Sequence, residues 1–191
     1  YSANLIYPNI GNTDLYPFNN HNIVWELSND VKFNKKENSL EKLYNLIETK
    51  NNNVIISSED FETLEFDNNK FNKFLNIIKK NNFNIKIIIY LRNQVDYFTS
   101  FYQTILLIGH STNNLEKTWE LLKFNNYIKI NKMNFWFDYQ KQIELIKKLF
   151  IIKDKDIICK SYDENQNNLL RDFVKIFNIK IKKDNNFNKY N

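Results

Sequence analysis

The sequence predicts an α/β fold in three layers, with a mostly parallel sheet flanked by helices. Three observations predict it. Short apolar runs rich in β-branched residues, at 53–58, 84–91 and 156–162, are too brief to be helices. They alternate with longer segments whose apolar residues recur at helical spacing. The middle run, "NIKIIIYL", is apolar almost throughout, which is the pattern of a strand covered on both faces in a parallel sheet.

The elements come in order along the chain. Residues 1–37 hold both prolines and many asparagines, so they read as loop with a short helix near 22–27. Helical periodicity begins at "NSLEKLYNLIETK", where Asn38 stands three residues ahead of Glu41 in a capping-box-like start and Leu40, Leu43, Leu46 and Ile47 form a stripe. The first strand, "NVIISS", comes next. A helix over 67–80 carries Phe71, Phe74, Leu75 and Ile78 on one face and leads into the second strand. The spacing of Phe98, Phe101, Tyr102, Ile105 and Leu106 predicts a helix over 95–108. Two more helices, over 115–124 and 135–150, precede the third strand, "DIICKSY", and a last helix around 167–177 closes the pattern. No internal repeat interrupts it. A chain of 191 residues, 42% hydrophobic, supports one sizeable core, so a single domain over 1–191 is expected.

Composition narrows the function classes. The net charge of +5 is compatible with anionic ligands, although lysine is also ordinary solubilising surface, and no basic cluster is denser than "KK", so nucleic acid is not an expected partner. No apolar run approaches the roughly 20 residues of a membrane-spanning helix. The single cysteine, Cys159, excludes an internal disulfide and agrees with a reducing, cytoplasmic compartment. Two histidines and one cysteine, widely spaced, make no zinc-ligand pattern, so no metal is expected. No "GxSxG" elbow exists for acyl transfer. Trp25, Trp119 and Trp136 read as core.

In open parallel sheets, ligands gather at the carboxyl ends of the strands, and two strand ends here carry polar groups. In "IISSED", Ser58 reads as the cap of a short helix beginning at Glu59. Glu59 itself either complements that helix's dipole or serves as a general base on an acceptor hydroxyl or amine. The other end is "YLRNQVDYFTS". Arg92 is one of two arginines among 27 basic residues, and its planar fork binds phosphate bidentately where lysine offers a point charge. Ser100, eight residues on, shares a polar stripe with Asp96 and Thr104. Either Arg92 and Ser100 face an anion beside the helix start, or Arg92 pairs with Asp96 and the serine is merely solvated. Arg171, next to Asp172, reads as surface.

The segment "IIYLRNQVDYFTSFYQ" resembles the 3'-phosphate-binding segment of sulfotransferases that use 3'-phosphoadenosine 5'-phosphosulfate, in which a strand ends in Arg and a Ser stands eight positions later. "NVIISSEDF" is similar to the strand-then-"SSE" element of bacterial carbohydrate sulfotransferase-like proteins. "LIYPNIG…HN" and the tail "FDYQKQIELIKKLFIIKDKDIICKSYDENQNNLLRDFVKIFNI" resemble further parts of the same family. The resemblance implies a P-loop-NTPase-like sulfotransferase fold and sulfuryl transfer to a hydroxyl or amine of a carbohydrate or polysaccharide acceptor. It implies that Arg92 and Ser100 hold the 3'-phosphate, that Glu59 acts as the base, and that His21, near the acceptor cleft, is the other catalytic candidate for that role. One departure matters. The family's glycine-rich 5'-phosphosulfate loop has no counterpart in a chain whose glycines are Gly11 and Gly109 alone. That departure leaves two expectations: a domain incomplete at its N-terminus, and at its C-terminus where further cofactor-covering elements would begin, or a catalytically inactive binding module of the same fold for a glycan or a protein.

Overall fold

A computed structural model describes residues 5–12, 19–49, 52–111, 138–166 and 168–178. The chain forms two compact units, one centred on Tyr1–Ile85 and one on Lys86–Ile176. Both are α/β, and among the described residues each contains a two-stranded parallel sheet.

In the first unit, β1 (Leu5–Ile6) pairs in parallel with β2 (Asn53–Val54), Leu5 opposite Asn53 and Ile6 opposite Val54. The Ile55 N–H donates to the Ile6 carbonyl at 2.9 Å and carries the pairing one step further. β1 lies inside the stretch expected to be loop, because two residues are too few to show a period of two. Helices α1 (His21–Ser28), α2 (Ser39–Thr49) and α3 (Asn68–Lys80) supply the core. Ile23, Val24, Leu27, Leu40, Leu43, Ile47, Phe71, Phe74 and Ile78 are all buried. The apolar stripes of α2 and α3 therefore face inward, as their spacing predicts.

The start of α2 differs from the expected capping box. Asn38 adopts a left-handed conformation, φ 43°, and closes the 3-10 turn Lys35–Glu37. Glu26 of α1 takes over at the start of α2: its carboxylate accepts the Leu40 N–H at 2.9 Å. A tertiary carboxylate thus meets one of the free N–H groups of the first turn.

In the second unit, β3 (Ile87–Leu91) runs parallel to β4 (Ile157–Ser161) in register from Ile87–Ile157 to Leu91–Ser161. Helices α4 (Gln94–Ser111), α5 (Tyr139–Phe150), α6 (Tyr162–Asn165) and α7 (Leu169–Ile176) complete the described part. α5 starts at Tyr139, where the Asp138 side chain accepts the Lys141 N–H. The predicted helix over 115–124, Trp119 and Trp136 lie outside the described residues. β3 is half-buried along its whole length rather than sealed on both faces. Tyr90 and Lys160, partners across the two strands, converge on one carboxylate: the Tyr90 hydroxyl donates to Asp172 at 2.9 Å and Lys160 at 3.2 Å. Burial, then the hydrogen bond to Asp172, pushes the Tyr90 phenol up to about 12, while the bonds from Tyr90 and Lys160 hold Asp172 below the usual carboxylate range. Among the described residues no helix is long and apolar enough to cross a membrane.

With two glycines in the chain, the left-handed backbone positions fall to other residues. Asn29, Asn38, Asn82 and Asn178 occupy four, which asparagine tolerates because its short polar side chain bonds locally. Ile151, at φ 55° after α5, has no such excuse: it is β-branched and 82% exposed, so it gains little burial in return. Ile151→Gly should therefore raise stability by about 1 kcal/mol, read as a higher denaturation midpoint with an unchanged slope. An unchanged or lower midpoint would show that this backbone carries no strain.

Candidate functional site

The second unit's polar groups gather where β3 and β4 end. Because the strands are parallel and in register, Leu91 and Ser161 end side by side, and the residues just after each strand emerge at the same end of the sheet. An open cleft of about 420 Å³ lies there, lined by Leu91, Arg92, Asn93, Cys159, Lys160, Ser161 and Asp163.

Each lining group has a local reason for its position. Asn93, two residues past the end of β3, turns the chain into α4, its side-chain oxygen accepting the Val95 N–H at 2.9 Å. Ser161 plays the same part for α6, accepting the Glu164 N–H at 3.2 Å. Asp163, in α6, accepts the Asn93 N–H at 2.7 Å, and the Tyr139 hydroxyl of α5 donates to the Arg92 carbonyl at 2.7 Å. The Arg92 guanidinium lies over the Tyr162 ring, 5.6 Å from its centre, a cation–π arrangement that also limits the directions open to it.

Charge makes Arg92 the distinctive group. Lys160 is paired with Asp172, and Asp163 is committed to the Asn93 backbone. Arg92 has no ion pair among the described residues, and its buried Nε has no hydrogen-bond partner. The pairing of Arg92 with Asp96, one of the two arrangements the sequence leaves open, does not form. A buried guanidinium N–H without an acceptor is costly, by about 1–3 kcal/mol, and a bound anion would remove that cost. Ser100 is half-buried on α4, about 9 Å further along the helix axis than Gln94, and it is not part of the cleft's lining.

Glu59 and His21 belong to the first unit. Ser58 caps the 3-10 turn Glu59–Thr63 as predicted, accepting the Asp60 N–H at 3.2 Å. Glu59 is exposed and makes no hydrogen bond or ion pair with the described residues. His21 is 4% exposed and stacks on Trp25, with ring centres 5.6 Å apart. Its Nδ1 lies 2.7 Å from Ser58 Oγ and 2.8 Å from Asp60 Oδ2, and the Trp25 indole donates to that same carboxylate oxygen at 2.8 Å. The serine and the aspartate thus share one ring nitrogen. That is not the relay in which each nitrogen serves a different partner. The arrangement anchors the turn: both neighbours of Glu59 in the chain are tied to His21.

Sequence reasoning missed Asp60, Tyr139, Tyr162 and Asp163. Asp60 stands beside Glu59 with nothing local to rank one carboxylate above the other. "SYD" after a strand signals Tyr162 and Asp163 through the same strand-end rule that singles out Arg92, whereas no local signal marks Tyr139. Among the described residues no group of three His, Cys, Asp or Glu side chains is placed to hold a metal ion.

Compared with protein-family models, with curated proteins and with solved structures, the chain matches none.

Cys159 offers a direct probe of the cleft. The residue is exposed overall, yet partial burial of its sulfur pushes the thiol up from its ordinary range. The thiolate is the reactive form, so at pH 8 alkylation of the folded protein should run several-fold slower than that of the unfolded chain. The rate should still be climbing at pH values where a free thiol has levelled off. Equal rates for folded and unfolded protein at pH 8 would contradict this.

Proposed function

We propose that the chain is a sulfotransferase that moves a sulfuryl group from 3'-phosphoadenosine 5'-phosphosulfate to a hydroxyl or amine of a carbohydrate acceptor. The observation that carries the proposal is Arg92: a guanidinium at a strand's carboxyl end, unpaired, partly desolvated and braced on Tyr162. Together with the Arg92 and Ser100 spacing, it supports recognition of the donor's 3'-phosphate. The residues present fit such a group, because the cleft offers a cation in search of an acceptor.

The chemistry divides the labour among these residues. In the transfer, the acceptor oxygen or nitrogen bonds to sulfur while the bond from sulfur to the 5'-phosphate oxygen breaks. The acceptor's proton goes to the Glu59 carboxylate, and adenosine 3',5'-bisphosphate leaves. Arg92 binds the 3'-phosphate and orients the donor, and Ser100, which is outside the cleft's lining, is the second phosphate contact that the family resemblance implies. Glu59, exposed and without other partners among the described residues, is free to accept a proton. His21 acts through Glu59: by holding Ser58 and Asp60 it fixes the backbone on both sides of the base. Transfer of this kind is governed by positioning and by stabilisation of developing charge.

A second reading is favoured by one specific observation. Two glycines leave no glycine-rich turn in this chain to cradle the 5'-phosphosulfate. On that reading the chain is an inactive sulfotransferase-fold module that binds a glycan or a protein partner.

Adenosine 3',5'-bisphosphate at 100 times its dissociation constant should stabilise the protein by about 2.7 kcal/mol, seen as a rise in melting temperature, and should slow alkylation of Cys159. Arg92→Ala should remove both effects, and Arg92→Lys should restore them poorly because a point charge does not replace the fork. No shift at millimolar nucleotide would end the proposal. Glu59→Gln should leave nucleotide binding intact and abolish transfer; binding without transfer in the unsubstituted protein selects the inactive module instead.

A further inference from the structure

Resting on the reading of Arg92 as the anion ligand, we propose that Tyr139 and Asp163 are positioning residues for it, and that Asp163 also sets the cleft's affinity through its charge. The observation is the treatment of a single peptide group. The bond between Arg92 and Asn93 has its carbonyl held by the Tyr139 hydroxyl and its N–H held by the Asp163 carboxylate, each at 2.7 Å. A peptide group is planar, so fixing both of its polar ends fixes the rotation of that plane. The plane begins at the Arg92 α-carbon; with β3 holding the chain up to Leu91 on the other side, its orientation fixes ψ of Arg92 and hence the direction in which the side chain leaves the backbone.

The two holders come from different places in the chain, α5 and α6, and each is itself fixed. Tyr139 is the first residue of α5, whose start is capped by Asp138. Asp163 sits in α6, capped by Ser161 at the end of the neighbouring strand. Its chain neighbour Tyr162 supplies the ring under the guanidinium. The pair Tyr162 and Asp163 therefore holds Arg92 at both ends, ring to guanidinium and carboxylate to the next amide. Nothing about strand formation requires this, because β3 ends at Leu91, one residue earlier.

Asp163 has a second consequence that separates positioning from mere structure. It lines the cleft, so its negative charge opposes an incoming anion while its hydrogen bond prepares Arg92 for one. The two effects have opposite signs and different substitutions remove them. Asparagine keeps a carbonyl oxygen to accept the Asn93 N–H and loses the charge. Alanine loses both.

The experiment is calorimetric titration of the full chain with adenosine 3',5'-bisphosphate, with melting temperatures measured in its absence. Arg92→Ala should abolish binding. Asp163→Asn should bind about threefold more tightly than the unsubstituted protein, because a like charge has left a solvent-exposed site. Asp163→Ala should bind about tenfold more weakly, and Tyr139→Phe, which removes only the hydroxyl, several-fold more weakly. Weaker binding by Asp163→Asn, in proportion to a lowered melting temperature, would overturn the charge assignment. Unchanged affinity in both Tyr139→Phe and Asp163→Asn, with Arg92→Ala still inactive in binding, would overturn the positioning role and leave the Arg92 site standing. Absence of binding by the unsubstituted protein would overturn both.

Discussion

A chain with two glycines and two prolines must turn sharply without the residues that turn most cheaply, and this constraint governs the structure. Its solution is the side-chain hydrogen bond to backbone, most fully developed at Asn20. That residue is completely buried. Its amide donates to the carbonyls of Pro8 and Ile10 at 3.2 and 2.7 Å, its oxygen accepts the Ser57 N–H at 2.9 Å, and its own N–H donates to the Ser57 carbonyl at 3.0 Å. One asparagine thus satisfies the backbone where β1 and β2 both end. Gly11 is used where no other residue fits, at φ 78°, with Ile23 Cγ1 only 2.9 Å from where a Cβ would stand. Beside it, buried Asn22 ties the Asn34 carbonyl and N–H and the Ser39 hydroxyl to α1.

The second unit obeys the same rule with different residues. Asn93, Ser161, Asp163 and Tyr139 do at the ends of β3 and β4 what asparagines do in the first unit. Most of these bonds lie at the surface, where water could replace them, so they direct the chain at the strand ends more than they rescue buried groups. The by-product is a strand end with its polar groups already spoken for. The carboxylates of Asp163 and Asp172 each have a committed partner, and Arg92 is left over. Preorganised positive charge in a partly desolvated cleft binds an anion with little further ordering.

The same economy shapes the proposed base. Glu59 sits between two residues that His21 holds, so the chain is tied on both sides of it while its side chain is exposed. A buried histidine often invites a catalytic role; here its Nδ1 is shared between Ser58 and Asp60, which ties it to the turn that carries Glu59. Its stacking on Trp25, itself bonded to Asp60, closes a compact polar cluster beside the core.

Much of this is legible in the sequence alone. Periodicity is local, so the stripes of α2 and α3, the runs that became β3 and β4, and the cap at Ser58 could be read from neighbours alone, and Arg92 stood out as an arginine in a background of lysine. The two-residue strand β1 could not, because its length hides its period. Glu26 replaces Asn38 at the start of α2 because its carboxylate, from another helix, reaches the Leu40 N–H, while Asn38 adopts a left-handed turn. Only tertiary structure decided that Arg92 stays unpaired while Asp163, 71 positions along the chain, takes the neighbouring N–H instead. The sequence by itself determined which elements form and which residue types stand at the strand ends. Which carboxylate meets which donor depends on distances across the fold, and those are set by parallel register and helix packing rather than by neighbours in the chain.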